Sequence, residues 1–146
     1  MAIVKQNFND KCYLLVDETV EETTIYSDWI DVSKSYCTSI EVMASGTTLS
    51  ATMTVEISSD ESISNGRVIG SVEDPNNDML FCELNSTELA AALKSTGTAG
   101  TVSEGTNQHY SFVGLGARWL RVKLVVSGAS SDNKLKVSLM KQQLTT

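Results

Sequence analysis

The sequence predicts an all-β protein, an antiparallel β-sandwich with at most one short helix near residues 86–94. Apolar and polar residues alternate with a period of two in several short runs, as they do in strands with one buried face. Turn-forming residues separate these runs at the spacing typical of sandwiches and barrels. Serine and threonine are abundant, and they favour turns and strands, respectively.

The longest of these runs covers residues 117–126 and predicts the central strand. Its two sides differ in chemistry. The apolar side carries Leu120, Val122, Leu124 and Val126, and the mixed side carries Trp119, Arg121, Lys123 and Val125. We expect the apolar side to face the core, whereas the basic side must stay in water or meet acidic groups.

The length and the net charge of the chain limit its possible domain organisation and its possible classes of function. The 146 residues fit one domain, which we assign to residues 12–146 behind an N-terminal arm of residues 1–11. The net charge is −7, and no cluster of basic residues stands out, which argues against nucleic-acid binding. No segment has the length and apolarity of a signal peptide or a membrane span, so synthesis in a cytoplasm and no membrane partner are expected.

Strands are predicted along the first half of the chain, separated by short turns. A cluster of acidic residues at 17–22 predicts a solvated turn, with an acidic metal site as the alternative. Residues 38–44 and 49–58 alternate on either side of a glycine-containing turn, which predicts a hairpin. The predicted strands of this half are residues 12–16, 23–26, 29–32, 38–44 and 49–58.

The second half contains the helical signal and a long loop. Asn85 followed by Glu88 resembles a capping box before the run Leu89-Ala90-Ala91-Ala92-Leu93. Residues 95–108 are rich in Gly, Ser and Thr, which predicts a loop suited to contact a partner. Strands 117–126 and 134–142 predict a second hairpin. The other predicted strands are residues 67–72, 79–84 and 109–113, with an Asn65-Gly66 turn and a loop at residues 73–78.

The residues that usually carry chemistry form no recognisable site. His109 is the single histidine, and without a partner motif it is interpreted as a structural or surface residue. Serine-hydrolase, phosphate-loop and metal-cluster motifs are absent, so we expect no enzyme activity, no cofactor and no bound metal. The cysteines, Cys12, Cys37 and Cys82, are expected to be small buried residues with free thiols, and one disulfide is the alternative.

Two tryptophans allow two interpretations. Trp29 and Trp119, with Arg121 nearby, could form a platform on which a sugar stacks. The favoured interpretation is that both rings are buried, because aromatic side chains bury so much area. Exposure of either ring would reverse this preference.

Three stretches resemble small β-sandwich proteins of tailed bacteriophages. Tyr26-Ser27-Asp28-Trp29-Ile30-Asp31-Val32 is similar to their s-x-W-I-D-v opening, and Thr54-Val55-Glu56-Ile57-Ser58-Ser59-Asp60 to a strand ending in S-x-D. Ala117-Arg118-Trp119-Leu120-Arg121-Val122-Lys123 is similar to their a-R-y-l-R-v-k strand. The same order occurs in galactose-binding-like jelly rolls, including carbohydrate-binding modules, although their calcium loop has no match here.

The resemblance implies a jelly-roll-like virion protein, such as a capsid decoration (cement) protein or another head- or tail-associated subunit. Its expected partners are the major capsid protein or other virion subunits, and copies of itself. A carbohydrate-binding module on a virion or host surface is the alternative. Besides residues 95–108, the residues expected to bind a partner are those of the arm, Ala2, Ile3, Val4, Lys5, Gln6 and Asn7.

Overall fold

The computed structural model describes residues 11–19, 23–60, 63–64, 67–68, 80–128 and 132–142; of residues 11–19, 64 and 67–68 it describes the backbone alone. Within these ranges the chain forms twelve strands and one helix. In chain order they are β1 (Lys11–Thr19), β2 (Thr23–Tyr26), β3 (Ile30–Asp31), β4 (Cys37–Ser45), β5 (Ser50–Ser58), β6 (Ile63–Ser64), β7 (Arg67–Val68), β8 (Cys82–Glu83), α1 (Ser86–Ala92), β9 (Thr101–Ser103), β10 (Asn107–Val113), β11 (Trp119–Val126) and β12 (Lys134–Gln142).

Two antiparallel sheets pack face to face. One has the strand order β1-β12-β4-β10, and the other has the order β2-β11-β5-β8, with β3 beside β11 and β9 beside β5. The pairing is nested along the chain, because β1 pairs with β12, β2 with β11, β4 with β10 and β5 with β9. This nested order is that of a jelly roll, so the predicted fold class is confirmed.

The period-two alternation places the core where the sequence predicts it. Along β11, Leu120, Val122 and Leu124 are fully buried between the sheets, and along β5, Met53 and Val55 are buried against them. The facing sheet supplies a matching apolar layer. Its fully buried members include Ile40, Val42, Val137 and Leu139.

Both predicted hairpins are wrong. Strand β4 lies in the four-stranded sheet and β5 in the six-stranded sheet, so residues 46–49 cross between the layers. The same holds for β11 and β12, which also lie in different sheets. Each strand still turns its apolar face inward, because in a sandwich the inner faces of both sheets meet at one core.

The two crossings interlock at one end of the sandwich. Gly46 has a φ of +122°, and a β-carbon built there would lie 2.6 Å from the Asn133 Cα. Asn133 is completely buried and donates from Nδ2 to the Gly128 carbonyl at 3.0 Å. A β-carbon on Gly128 would overlap the Thr48 carbonyl oxygen. Both glycines are therefore required by close backbone approach.

The predicted helix is confirmed as α1. The Asn85 Oδ1 accepts a hydrogen bond from the Glu88 amide at 2.8 Å, and the Glu88 carboxylate accepts one from Asn85 Nδ2 at 3.0 Å. The first bond satisfies a backbone amide that the first turn leaves free, and the second joins the two side chains to each other. The helix buries Leu89 and Ala92 against the core.

The predicted loop at residues 95–108 contains a strand that sequence reasoning missed. Strand β9 pairs with β5, and a hydrogen-bond chain holds the residues before it. The Gly100 amide donates to the Tyr110 hydroxyl at 2.9 Å, and this hydroxyl donates to Gln108 Oε1 at 2.7 Å. Gln108 Nε2 in turn donates to the Thr98 carbonyl at 3.0 Å.

Other predicted elements are shorter than expected or lie outside the described residues. The strand predicted at 79–84 is the two-residue β8, and of the strand predicted at 67–72 the described part is β7, paired with β6. The described residues include no helix that is long and apolar enough to cross a membrane. The arm residues 2–7, the Asn65-Gly66 turn, the loop at 73–78 and residues 20–22 of the predicted acidic turn lie outside the described ranges. Residues 17–19 are the end of β1, so that part of the predicted turn is wrong.

Candidate functional site

The three stretches that carry the sequence resemblance form neighbouring strands of one sheet. Strand β11 lies between β3 and β5, and Trp119 is the register partner of both Asp31 and Ser58. Directly paired residues point to the same face of a sheet. Side chains from all three stretches therefore meet on the outer face of the six-stranded sheet, which we call the outer-face cluster and define as Tyr26, Trp29, Glu56, Phe81, Trp119 and Arg121.

A buried ion pair lies at the centre of this cluster. Arg121 Nε donates to Glu56 Oε1 at 2.7 Å, and the two residues are only 4% and 1% exposed. Arg121 and Glu56 are also register partners on β11 and β5. The basic face of the central strand thus meets an acidic group, one of its two predicted outcomes. Glu56, which the alternation predicts to face outward into water, is covered by its neighbours.

Aromatic rings surround the guanidinium group. The Arg121 Cζ lies 4.4 Å from the ring centroid of Tyr26, 4.5 Å from that of Trp29 and 5.4 Å from that of Phe81. Arginine stacks favourably on such rings, most strongly where water is excluded. The guanidinium group therefore joins residues of β2, of the segment before β3, of the segment before β8 and of β5.

Both tryptophan rings are buried, as the favoured interpretation predicts, but they lie outside the main core. Trp29 is 3% and Trp119 is 5% exposed, and they form a separate apolar cluster with Ile63. The two indole Nε1 atoms and Arg121 Nη2 are buried, and none of them has a hydrogen-bond partner among the residues that the structure describes. Strand β11 is therefore buried on both faces over its first residues.

A polar corner continues from this cluster to one end of the sandwich. Asp31 Oδ2 lies 3.5 Å from Arg118 Nε, and the buried Lys141 Nζ donates to the Asp31 carbonyl at 2.6 Å. Partial desolvation favours the neutral carboxyl. The ionised carboxylate is favoured by hydrogen bonds from the Ser33 hydroxyl and amide and by the positive charges of Arg118 and Lys141. These effects together outweigh the desolvation, so the pKa of Asp31 is lowered.

An open cavity of about 380 Å³ adjoins this corner. Its polar lining includes Ser33, Ser35, Thr38, Ser59 and Arg118. These groups already bond to one another or to Asp31: the Ser35 and Thr38 hydroxyls are 2.8 Å apart, and Ser33 Oγ donates to Asp31 Oδ1 at 2.6 Å. The arrangement fixes the loops at this end of the sandwich.

The remaining candidates for chemistry lie elsewhere. His109 Nδ1 lies 3.2 Å from Glu41 Oε1 on the exposed outer face of the four-stranded sheet. Cys37 and Cys82 have free thiols, as predicted, but Cys82 is exposed and Cys37 only half-buried. The Cys12 side chain lies outside the described residues. Within the described part of the chain, no three His, Cys, Asp or Glu side chains are arranged to hold a metal ion.

The sequence singled out three members of the cluster, Trp29, Trp119 and Arg121, but neither the other members nor the contacts among them. Glu56 and Lys141 were missed because each stands at a position whose burial depends on a strand from another part of the chain. Glu56 could have been found by pairing the predicted strands 49–58 and 117–126, which places a carboxylate beside a basic residue. Nothing in the sequence indicates that Tyr26 and Phe81 remain partly exposed, at 42% and 38%.

The fold is a jelly-roll β-sandwich, and the outer-face cluster of aromatic and ionic side chains covers part of its six-stranded sheet. No protein-family model matches the chain, and no curated protein matches it. Among solved structures, the chain is similar to the crystal structure of the SPBc2 prophage-derived protein YomS, with 14% identity and a TM-score of 0.48. The match covers 97% of this chain and 100% of that chain. At this level the similarity carries no information about function.

Proposed function

We propose that this protein is a non-enzymatic structural subunit of a tailed-phage particle, a capsid decoration protein or another head-associated subunit. It would work by surface complementarity, repeated over a symmetric particle, where many weak contacts add up through avidity. The major capsid protein or another virion subunit would be its partner. The residues that would make the contact include the arm, Ala2 to Asn7.

One observation carries the proposal. The three stretches that resemble phage sandwich proteins are adjacent in the fold, and their polar and aromatic side chains contact one another. Arg121 is paired with Glu56, and its guanidinium group lies against three aromatic rings. The shared pattern thus stabilises a sheet, which fits a family whose members work as building blocks.

Sedimentation of purified particles tests the proposal. Lysate from the source is banded in a density gradient, and this chain is quantified by mass spectrometry against the major capsid protein. A copy number close to that of the shell subunit is expected. A few copies per particle would indicate a tail or portal subunit, and recovery in the soluble fraction alone would overturn the proposal.

A truncation locates the contact. Deleting residues 1–8 is expected to leave the fold intact, because they precede the first residue of β1, and to abolish binding to particles. Deleting residues 143–146 is the matched control, since β1 and β12 are paired so that Lys11 lies beside Lys141 at one end of the sheet. Equal binding by both truncated proteins would remove the arm from the interface, and circular dichroism checks the fold.

The alternative proposal, sugar binding at Trp29, Trp119 and Arg121, requires at least one ring to face solvent. Both rings are buried, and the guanidinium group is paired with Glu56. Acrylamide quenching of tryptophan fluorescence separates the two proposals. Weak quenching is expected for the structural subunit, whereas strong quenching that a sugar suppresses would favour the binding module.

A further inference from the structure

The inference concerns the edges of the two sheets, where strands present backbone groups with no neighbouring strand. Such edges pair with other chains unless they are blunted by short length, charge, bulges or local hydrogen bonds. The edges of β1, β9 and β10 carry charges, a bulge or local hydrogen bonds, and β8 has only two residues. Strand β2 has four residues, and short length is the one such feature that it shows.

The edges of β9 and β10 are satisfied by local hydrogen bonds. In β9, the Ser103 amide donates to Thr106 Oγ1 at 2.9 Å, and the Ser103 carbonyl accepts from the Thr106 amide at 3.0 Å. In β10, the His109 carbonyl accepts from the Lys94 amide at 2.8 Å, and the His109 amide donates to Ser95 Oγ at 3.2 Å. The chain itself closes this flank of the sandwich.

The opposite flank has two edge strands, β1 and β2, and they differ. Strand β1 contains a register shift between Leu14 and Val16, and its sequence carries Lys11, Asp17 and Glu18. A bulge and charges both discourage pairing of an edge. Strand β2, Thr-Thr-Ile-Tyr, is uncharged, rich in residues that favour strands and pairs with β11 without a shift.

The hydrogen-bonding direction along β2 is fixed by its neighbour. The Ser27 amide donates to the Val122 carbonyl on β11 at 2.9 Å, so backbone groups at every second position, Ile25 included, point towards β11. The amides and carbonyls of Thr24 and Tyr26 consequently point away from the sheet. They have no hydrogen-bond partner among the described residues.

We propose that β2 of a second copy of this chain pairs antiparallel with β2 and joins the two six-stranded sheets across a twofold axis. The alternation fixes the register: Thr24 pairs with Tyr26 of the second copy, Tyr26 pairs with its Thr24, and Ile25 faces its Ile25. Each of the four outward amides then finds a carbonyl. Strand β2 itself is uncharged, so the residues paired in this register bring no like charges together. Just outside them, Glu22 of each copy would approach Asp28 of the other, which keeps the contact weak.

This self-association does not depend on attachment to a particle. Four main-chain hydrogen bonds make a weak contact in isolation, so we expect an equilibrium between monomer and dimer that shifts with protein concentration. On a symmetric lattice the same contact would be strengthened by avidity.

Hydrogen exchange of the full chain, followed residue by residue by NMR at low and high protein concentration, tests the register. The amides of Thr24 and Tyr26 are expected to become protected at high concentration, whereas the amide of Ile25 is protected at both. Concentration-dependent protection of β1 instead, or sedimentation as a monomer at every concentration, would overturn the proposal.

Substitutions test the edge itself. Thr24→Pro removes an outward amide that β11 does not use, so the fold is expected to persist and the dimer to be lost. Thr24→Ala is the matched control because it keeps the amide, and its dimer should persist. Should the proline variant unfold, Thr24→Lys, which keeps the amide and adds charge beside the axis, is expected to weaken the dimer at least tenfold. Undiminished dimerisation of a folded Thr24→Pro or Thr24→Lys variant would contradict the proposal.

Discussion

At the scale of single residues, the environment of a side chain follows from the residue beside it in the sheet. Arg118 and Arg121 belong to one motif, yet the Arg118 side chain is 60% exposed and the Arg121 side chain 5%. Arg121 is opposite a carboxylate in register and under aromatic rings, whereas Arg118 lies at the end of its strand beside the partly exposed Asp31. The same residue type therefore has a structural role in one place and remains at the surface in the other.

Removing one partner of the buried ion pair should be strongly destabilising. In Glu56→Ala the guanidinium group of Arg121 stays buried without its carboxylate, which we expect to cost about 3–5 kcal/mol in the free energy of unfolding. Urea denaturation measures this change. Glu41→Ala removes a carboxylate from an exposed pair with His109 and should change stability by about 0.5 kcal/mol or less. Similar losses for both variants would contradict a structural role for the buried pair.

Tyr110 offers a residue-scale prediction that depends on pH. Tyr110→Phe removes the acceptor of the Gly100 amide and the donor to Gln108, which should cost about 1–3 kcal/mol. Burial raises the pKa of Tyr110 above its ordinary value of 10.0, although the Gly100 hydrogen bond acts in the opposite direction. Above that value the unfolded chain releases the phenolic proton while the folded protein retains it, so stability falls as pH rises.

The difference in stability between the natural protein and Tyr110→Phe should therefore shrink as pH increases beyond about 10. Urea denaturation between pH 8 and 11 follows this difference. Tyr36→Phe, at a tyrosine that is 57% exposed, is the control and should change stability little. A gap that widens with pH for Tyr110→Phe would contradict the assigned burial.

At the scale of elements, the connections decide the fold more than the strands do. The crossing between β4 and β5 and the crossing between β11 and β12 meet where Asn133 bonds to Gly128 and packs on Gly46. A hairpin turn needs only its own residues, whereas each of these crossings depends on the other. This mutual dependence fixes how the two sheets are joined at that end.

Gly128→Ala should accordingly destabilise the protein by about 3 kcal/mol or more, because the new methyl group meets the Thr48 backbone, which has no rotamer to change. Gly105→Ala is the comparison. Gly105 has open space around its α-carbon and a φ of +78°. Gly105→Ala should therefore lose stability through the strained backbone conformation alone, by about 1–2 kcal/mol. Thermal and urea unfolding of the two variants measure the difference, and a smaller loss for Gly128→Ala would contradict the interlocked crossings.

At the scale of the whole molecule, the nested pairing brings together residues far apart in the chain. The first and last described strands are neighbours, as are the second strand and the next-to-last. One flank is closed by α1 and by residues 93–106, and the other carries the edges of β1 and β2. The proposed pairing with a second copy uses the β2 edge of the second flank.

Folding of such a topology should be slow for a chain of this size. Non-local strand pairs require loops to close before contacts form, so we expect refolding on the order of milliseconds to seconds. Stopped-flow fluorescence follows it, because Trp29 and Trp119 enter one buried cluster only when β3, β5 and β11 assemble. Complete recovery of tryptophan burial within microseconds would contradict the dependence of this cluster on distant strands.

The sequence by itself determined the fold class, the inward face of the main strands and the capped helix. These features depend on neighbours two to four residues away, as in the alternation of Leu120, Val122 and Leu124 or the bond between Asn85 and Glu88. Such local patterns are readable because the geometry of a strand or a helix end is the same in every protein.

Tertiary structure alone decided which strands are neighbours and what covers their outer faces. The alternation of β4 and β5 is the same for a hairpin as for a crossing between sheets, since both turn the same residues towards a core. Glu56 and Arg121 are polar positions on outward faces, and they are buried because distant segments bring rings over them. A partner that lies 65 residues away along the chain leaves no local pattern in the sequence. The outer-face cluster and the open edge of β2 are therefore visible only in the assembled sandwich.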